Sequence, residues 1–479
     1  MTDRSLYKYS FGVLMVFLIV VSGSQACRAK VTTRFGQVQG LLSRSTRGRL
    51  VAHYLGIPFA QPPVGDLRFR SPRPWIRNWT ETFLATEYAP VCVQVTEQGR
   101  FVGEEDCLYL NVYVPLISEE NGDGYEEKKS ALPVMVYVHG GMYATNGGND
   151  RQVPPEYMMD QDVIVVSIQY RLNILGFFAT ATERNPGNNG LKDIVTALRW
   201  VQENIRCFDG DPNVVTLWGH SAGASAVHLL AITNKTEGLF NRYIVQSGVA
   251  TGPTALVSAH WIRIYSLISA TSVGCLAQSE EEYTTTARPN ATREQEQYDE
   301  DELSEEQEDE MMRCLRELDV RSFGNTMDYH IIGDALIVWP TYQTLKYQSN
   351  VMNSSTYLYV FSYEGTFSAT FAFTAGVPRH FGVSHVDDLN YLLPIFNKQF
   401  EDYMLHNTES DITVINIMTE MWASFATKGV PEAWRVTPWP DYKESQKFLQ
   451  IGDGKLPEMR IGSEFFPERM AFWEELSAN

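Results

Sequence analysis

Gly219-His220-Ser221-Ala222-Gly223 lies between an apolar, strand-like run at Val214–Trp218 (VVTLW) and a run of small and apolar residues suited to a helix, Ala224–Leu230 (ASAVHLL). A G-x-S-x-G pattern alone arises by chance in a chain this long, because glycine and serine are common. Its setting gives it meaning. Between a strand and a helix it fits a tight turn whose glycines avoid Cβ clashes and which leaves Ser221 exposed above a sheet as a nucleophile. The helix N-terminus adds a positive dipole and unpaired N–H groups where an oxyanion would form. A tetrahedral oxyanion needs at least two donors. His139-Gly140-Gly141-Met142, directly after Val134–Val138 (VMVYV), offers backbone N–H groups on a glycine-rich turn, and Ala222 offers another. In isolation that segment reads as an ordinary strand-end turn; two such turns, each behind its own apolar strand, point to acyl-transfer chemistry. A serine hydroxyl is a poor nucleophile near neutral pH and needs a base. Six histidines follow it, His228, His260, His330, His380, His385 and His406, and the residue pattern alone does not choose among them.

The elements that must hold these groups are visible in the hydrophobic pattern. Near-continuous apolar runs at Val134–Val138, Val163–Ile168, Val214–Trp218, Tyr243–Val245 and Tyr357–Phe361 suit strands of a sheet buried on both faces. Leu191–Arg206 places Leu191, Ile194, Val195, Leu198, Val201 and Ile205 on one helical stripe. Strand alternating with helix predicts an α/β fold. No Pro/Gly/Ser linker and no internal repeat divides the chain, so residues 27–479 are expected to form one large domain.

The chain of 479 residues is 44% hydrophobic, 20% charged and 12% aromatic, which excludes a disordered, collagen-like or coiled-coil protein. Its net charge of -19 argues against nucleic acid or an anionic membrane as partner. Much of that charge is local. Residues 280–310 hold 14 acidic residues against Arg288 and Arg293, with almost no aliphatic side chains, and read as an acidic, flexible, solvated loop. Residues 1–26 combine Arg4 and Lys8, the apolar run Phe11–Val21 and the small-x-small step Ser24-Gln25-Ala26, as in a secretory signal peptide. The run is shorter than the ~20 residues a membrane span needs, so no span is expected in the mature, secreted form. Six cysteines suit an oxidising compartment: Cys92 with Cys107 would close a short loop, and Cys275 with Cys314 would tether the ends of the acidic stretch. No CxxC motif indicates a metal, and no cofactor is implied. Sequons at Asn78, Asn234, Asn290 and Asn353 are candidate glycosylation sites.

GHSAG at 219–223, EDCLYLNVY at 105–113, LGIPFAQPPVGDLRF at 55–69, PGNNGLKDIVTALRWVQENI at 186–205 and GVSHVDDLNYL at 382–392 together resemble the type B carboxylesterase and cholinesterase family. The resemblance runs from about residue 30 to the end, including WASFATKGVP and Trp473, and is most like secreted arthropod carboxylesterases. It implies an α/β-hydrolase fold with a large, mostly parallel mixed sheet flanked by helices. It also implies cleavage of small-molecule carboxylic esters through an acyl-enzyme. Carried over residue by residue, it makes Ser221 the nucleophile and His385 the general base, with Gly141, Met142 and Ala222 as oxyanion donors. It maps two disulfides onto Cys92–Cys107 and Cys275–Cys314, leaving Cys207 free, and ion pairs onto Arg68–Glu105 and Arg171–Asp193.

Three departures accompany it. Met142 stands where the family generally has Gly or Ala, and its side chain would crowd the acyl site. The short Cys92–Cys107 loop lacks the tryptophan of a choline-binding platform. Most seriously, the interval from Ser221 to His385 is too short for the family pattern. After CLREL at 314–318 the chain passes within a few residues to IIGDALIVWP, so the strand and turn bearing the third catalytic residue are missing from the resemblance. Glu364 and Asp334 are weak substitutes. The alternative to a hydrolase is therefore a catalytically silent, esterase-like binding or adhesion protein.

Overall fold

The computed structural model describes residues 29–96, 99–116, 131–149, 153–180, 182–252, 337–374, 382–400, 405–434 and 436–467, with isolated positions at 255, 470, 471 and 474. The expected signal peptide, the acidic stretch 280–310, Cys275, Cys314, Asn290, Asp334, His260, His330, His380 and Trp473 lie outside them.

Seven strands form the main sheet: β1 (Leu41–Arg44), β2 (Leu50–Pro58), β3 (Tyr109–Pro115), β4 (Leu132–Val138), β5 (Ile164–Ile168), β6 (Gly210–His220) and β7 (Arg242–Gln246). Their spatial order is β7-β6-β4-β5-β3-β2-β1. The four strands β7, β6, β4 and β5 are parallel, and the three that complete the sheet are antiparallel, so the sheet is mixed as expected. The apolar runs from β4 onward were legible; β1, β2 and β3 were not anticipated.

Continuous apolar runs are needed because both faces of the central strands are covered. Along β4, Val134, Val136 and Val138 enter one core, while Met135 and Tyr137 enter the other. This is the period-two alternation of a pleated strand. The first core is closed by helix α1 (Asn189–Asn204), which contributes Ile194, Leu198 and Val201, and by α2 (Ala222–Ala231), which contributes Ala226, Val227 and Leu230. The second is closed by α3 (Glu409–Lys428) through Val414, Met418, Met421 and Trp422. Each such apolar side chain removed from water is worth about 1.5–3 kcal/mol. α3 begins at a reciprocal cap, in which Thr408 Oγ1 accepts from Asp411 N at 3.1 Å and Asp411 Oδ2 accepts from Thr408 N at 2.7 Å. It ends at Gly429, whose φ of 80° suits a residue without Cβ.

A separate three-stranded sheet consists of β8 (Tyr359–Tyr363), β9 (Phe448–Gly454) and β10 (Leu456–Gly462). The strand expected at Tyr357–Phe361 is displaced by two residues to this position. Among the described residues, no strand joins β7 to β8, so each is a sheet edge. Tyr243, Ile244 and Val245, and likewise Tyr359, Val360 and Phe361, are only half-buried, unlike β5, which is buried throughout. A sheet lacking one interior strand would leave such a pair of edges. No described helix is long and apolar enough to cross a membrane.

Candidate active site

Ser221 follows β6 directly and has φ 56° and ψ -126°, a conformation that few residues other than glycine adopt. Glycines make the turn possible. A Cβ on Gly219 would lie 2.5 Å from Gly223 O, and one on Gly223 would lie 2.2 Å from Val138 O and 2.5 Å from His139 O. The turn is fixed on the other side by β7, where Ser221 N donates to Gln246 O at 2.8 Å. Ala222 is the first residue of α2, where backbone N–H groups have no intrahelical acceptor.

The glycine-rich turn after β4 packs against this elbow: a Cβ on Gly140 would lie 2.6 Å from His220 O and 2.9 Å from Ser221 Cβ. Gly141, Met142 and Tyr143 all have positive φ, at 105°, 57° and 58°. The carbonyl of Gly141 is taken up by Ala144 N and Thr145 N at 2.8 and 2.9 Å. The N–H groups of Gly141 and Met142 donate to nothing among the described residues. His139 is buried, stacks on Tyr170 and is pushed down to about 4 by burial, against a backbone hydrogen bond to Gly140, so it is neutral and structural.

His385 is brought to Ser221 by a loop that precedes a 3-10 turn at Asp387–Tyr391. Its Nε2 lies 3.0 Å from Ser221 Oγ. The next residue, Val386, is β-branched at φ 85°, a strained position held by its surroundings. Asp387 braces that loop by accepting from Ser384 N, Ser368 Oγ and Ala369 N at 2.9, 2.9 and 2.8 Å. His385 keeps a face open to solvent. Packing lowers its proton affinity through desolvation, Asp388 opposes that shift, and the open face limits it.

Among the described residues, no carboxylate hydrogen-bonds to His385. Glu364 follows β8 and donates its backbone N–H to Gly454 O, and its side chain makes no bond to the imidazole. The other described candidates for the base stand elsewhere: His228 is buried and accepts from Ala250 N at 2.9 Å, and His406 is exposed.

Several site residues escaped the sequence reading. Buried Asp388 accepts from Gln246 Nε2 and from Tyr359 Oη, both at 2.7 Å. Gln246 Oε1 accepts from Trp218 Nε1. His220 is buried, its ring centroid 4.8 Å from that of His385 and its Nε2 3.9 Å from Asp388 Oδ1. Burial, with His385 beside it, pushes His220 down to about 3, while Asp388 opposes this. The adjacent acids in HVDDL were the available signal.

The expected scaffold contacts that fall among the described residues are present, and Cys275–Cys314 lies outside them. Cys92 and Cys107 are bonded, and Cys207 is free and exposed. Arg68 Nε donates to Glu105 Oε2 at 2.6 Å, and Arg171 grips Asp193 through Nε and Nη2 at 2.8 and 2.7 Å. Asn78, Asn234 and Asn353 are all exposed.

A mixed sheet with a serine on its strand-turn-helix elbow and a histidine on a later loop is an α/β-hydrolase. The fold agrees with that of juvenile hormone esterase from Manduca sexta, solved with OTFP covalently attached, at a TM-score of 0.75 and 21% identity over 94% of this chain and 100% of that one. A family model described as "Carboxylesterase family" matches residues 28–327 and 278–473, and the chain belongs to that family. The match comes as two stretches that overlap over residues 278–327, which include the acidic segment. Juvenile hormone esterase of Tribolium castaneum is 46% identical over 224 residues, 46% of this chain and 36% of that protein. The chain spans 36% to 44% of the length of such insect relatives. Carboxylesterase 3 of Pongo abelii is 29% identical over 557 residues, covering 97% of this chain and 94% of that protein. An alignment longer than this chain requires it to skip stretches the relative contains.

Proposed function

We propose that this chain is a secreted serine hydrolase of carboxylic esters, with Ser221 as nucleophile and His385 as general base. The observation that supports this most directly is the 3.0 Å contact between Ser221 Oγ and His385 Nε2 at a strained elbow flanked by free backbone donors. Ser221 Oγ attacks the ester carbonyl while His385 Nε2 takes its proton. The N–H groups of Gly141, Met142 and Ala222 receive the oxyanion. Collapse expels the alcohol, protonated by His385, and leaves an acyl-enzyme that water cleaves in the reverse sense. The Cys92–Cys107 bond and the exposed sequon asparagines support an extracellular location.

One observation favours a second reading. Among the described residues His385 lacks a hydrogen-bonded acid, whose loss in a serine triad costs about 10⁴-fold in turnover; a silent binding or adhesion protein would tolerate that. A fluorophosphonate probe and p-nitrophenyl esters, applied to wild type and Ser221→Ala, separate the two. Labelling and turnover that disappear with Ser221 support the hydrolase; a folded wild type that shows neither supports the silent protein. Juvenile hormone joins the ester panel because the Tribolium relative is named for it.

A further inference from the structure

We propose that Asp388 is a positioning residue that supplies His385, through space, with negative charge at a point where no carboxylate among the described residues hydrogen-bonds to the imidazole. This rests on the reading of Ser221 and His385 as a hydrolytic pair. Asp388 is 6% exposed and three residues beyond His385, on the turn that carries the imidazole to Ser221. A buried carboxylate is costly unless donors or charges compensate it. Here Oδ2 takes two donors, Gln246 Nε2 and Tyr359 Oη, while Oδ1 is aimed toward the Nε2 of His220 at 3.9 Å. His220 Nε2 is buried and hydrogen-bonds to nothing among the described residues. Its ring lies against that of His385. Among the described residues no Lys or Arg pairs with Asp388, and its carboxylate faces the pair of imidazoles.

Other ionisable groups around this point are accounted for. From β4, Tyr137 is buried and its hydroxyl is held un-ionised by desolvation and by Asp388. Tyr359, from β8, is likewise held neutral. The oxygens of Asp387 are occupied by Ser384, Ser368 and Ala369. Gln246 connects the parts, since its backbone carbonyl receives Ser221 N and its side chain holds Asp388. As Ser221 loses its proton and His385 becomes imidazolium, Asp388 stabilises the new charge.

The test is the pH profile of kcat/KM for p-nitrophenyl ester hydrolysis in wild type, Asp388→Asn and Asp388→Glu. Activity requires neutral His385, so removing the anion lowers the pKa of the base. In Asp388→Asn the acidic limb should move down by about one pH unit and the plateau should fall about tenfold, the equivalence of one pKa unit. Asp388→Glu should restore the limb. A purely structural role would lower the plateau or the melting temperature without moving the limb, and that result would overturn the inference. Should Asp388→Asn fail to fold, Tyr359→Phe removes one donor from the carboxylate and should move the limb upward; an unmoved limb there overturns it equally. A wild type that the fluorophosphonate does not label overturns the hydrolase reading and this inference with it. A labelled wild type with an unmoved limb in Asp388→Asn overturns the inference alone.

Discussion

Replacing Asp193 by Asn tests whether the pair beneath the site stabilises the fold by compensating a buried charge. Arg171 and Asp193 side chains are 3% and 0% exposed. The carboxylate accepts from Arg171 N, Nε and Nη2 at 3.0, 2.8 and 2.7 Å, and Arg171 Nη1 continues to Arg70 O at 2.8 Å. The pair ties the N-terminal half of α1 to the segment after β5. Asn keeps the shape but leaves the guanidinium uncompensated, at a cost of about 3–5 kcal/mol. With an unfolding entropy of about 2.1 cal/mol/K per residue, a chain of 479 residues has about 1 kcal/mol/K, so Tm should fall by about 3–5 °C. Urea denaturation followed by tryptophan fluorescence measures the same loss directly. The double variant Arg171→Met with Asp193→Leu, which removes both charges at similar volume, should recover most of it. A double variant no more stable than Asp193→Asn would refute the reasoning, because the loss would then reside in packing.

Three further outcomes follow from the geometry. Gly223→Ala forces a Cβ to within 2.2 Å of Val138 O, so the elbow must shift, and fluorophosphonate labelling of Ser221 should slow about 100-fold with helix content retained; an unchanged labelling rate contradicts the fit. Burial pushes the Asp411 carboxyl up, but hydrogen bonds from Thr366 and Thr408 outweigh this and hold it below its ordinary value. Its contribution is therefore complete above the unfolded pKa of about 3.9 and is lost as pH falls through the folded one, so the Tm gap between wild type and Asp411→Asn should shrink on acidification, and a gap constant with pH contradicts this. Non-reducing peptide mapping should find Cys92 joined to Cys107, Cys275 joined to Cys314, and Cys207 as a free thiol; a Cys207-linked peptide contradicts the pairing.

Sequence showed the parts of the fold whose pattern has one physical meaning. Val134–Val138 and Val214–Trp218 are apolar on both faces because helices cover both, and their positions fixed where the two turns would fall. The antiparallel strands escaped notice because β1 is largely exposed and β2 is interrupted by a register shift between Tyr54 and Ile57. At the site, the serine elbow and the glycine-rich turn after β4 were legible because glycine is sterically required there. His385 was not distinguishable from five other histidines by pattern, and only the family resemblance selected it. Asp388, Gln246 and Tyr359 were hidden for a different reason: they meet by tertiary packing of β7, β8 and the turn after His385, and no spacing along the chain encodes that meeting.

The same meeting links the two sheets beside Ser221 and His385. Ser221 follows β6 of the seven-stranded sheet, and the turn after His385 packs with β8 and α3 in a core that also takes Met135, Tyr137 and Trp218 from that sheet. Among the described residues β7 and β8 are linked by side chains: Gln246 Nε2 donates to Tyr359 Oη at 3.0 Å, and both converge on Asp388. Arg242 Nη1 adds a bond to Ala426 O at 3.0 Å. A polar bridge of this kind is buried and worth keeping only when every member is satisfied, so removing one member should loosen its neighbours more than a single hydrogen bond of about 1 kcal/mol would suggest. Asp388 thus serves two ends at once. Its hydrogen bonds tie the turn after His385 to β7 and β8, and the charge proposed to act on the imidazole belongs to the same carboxylate.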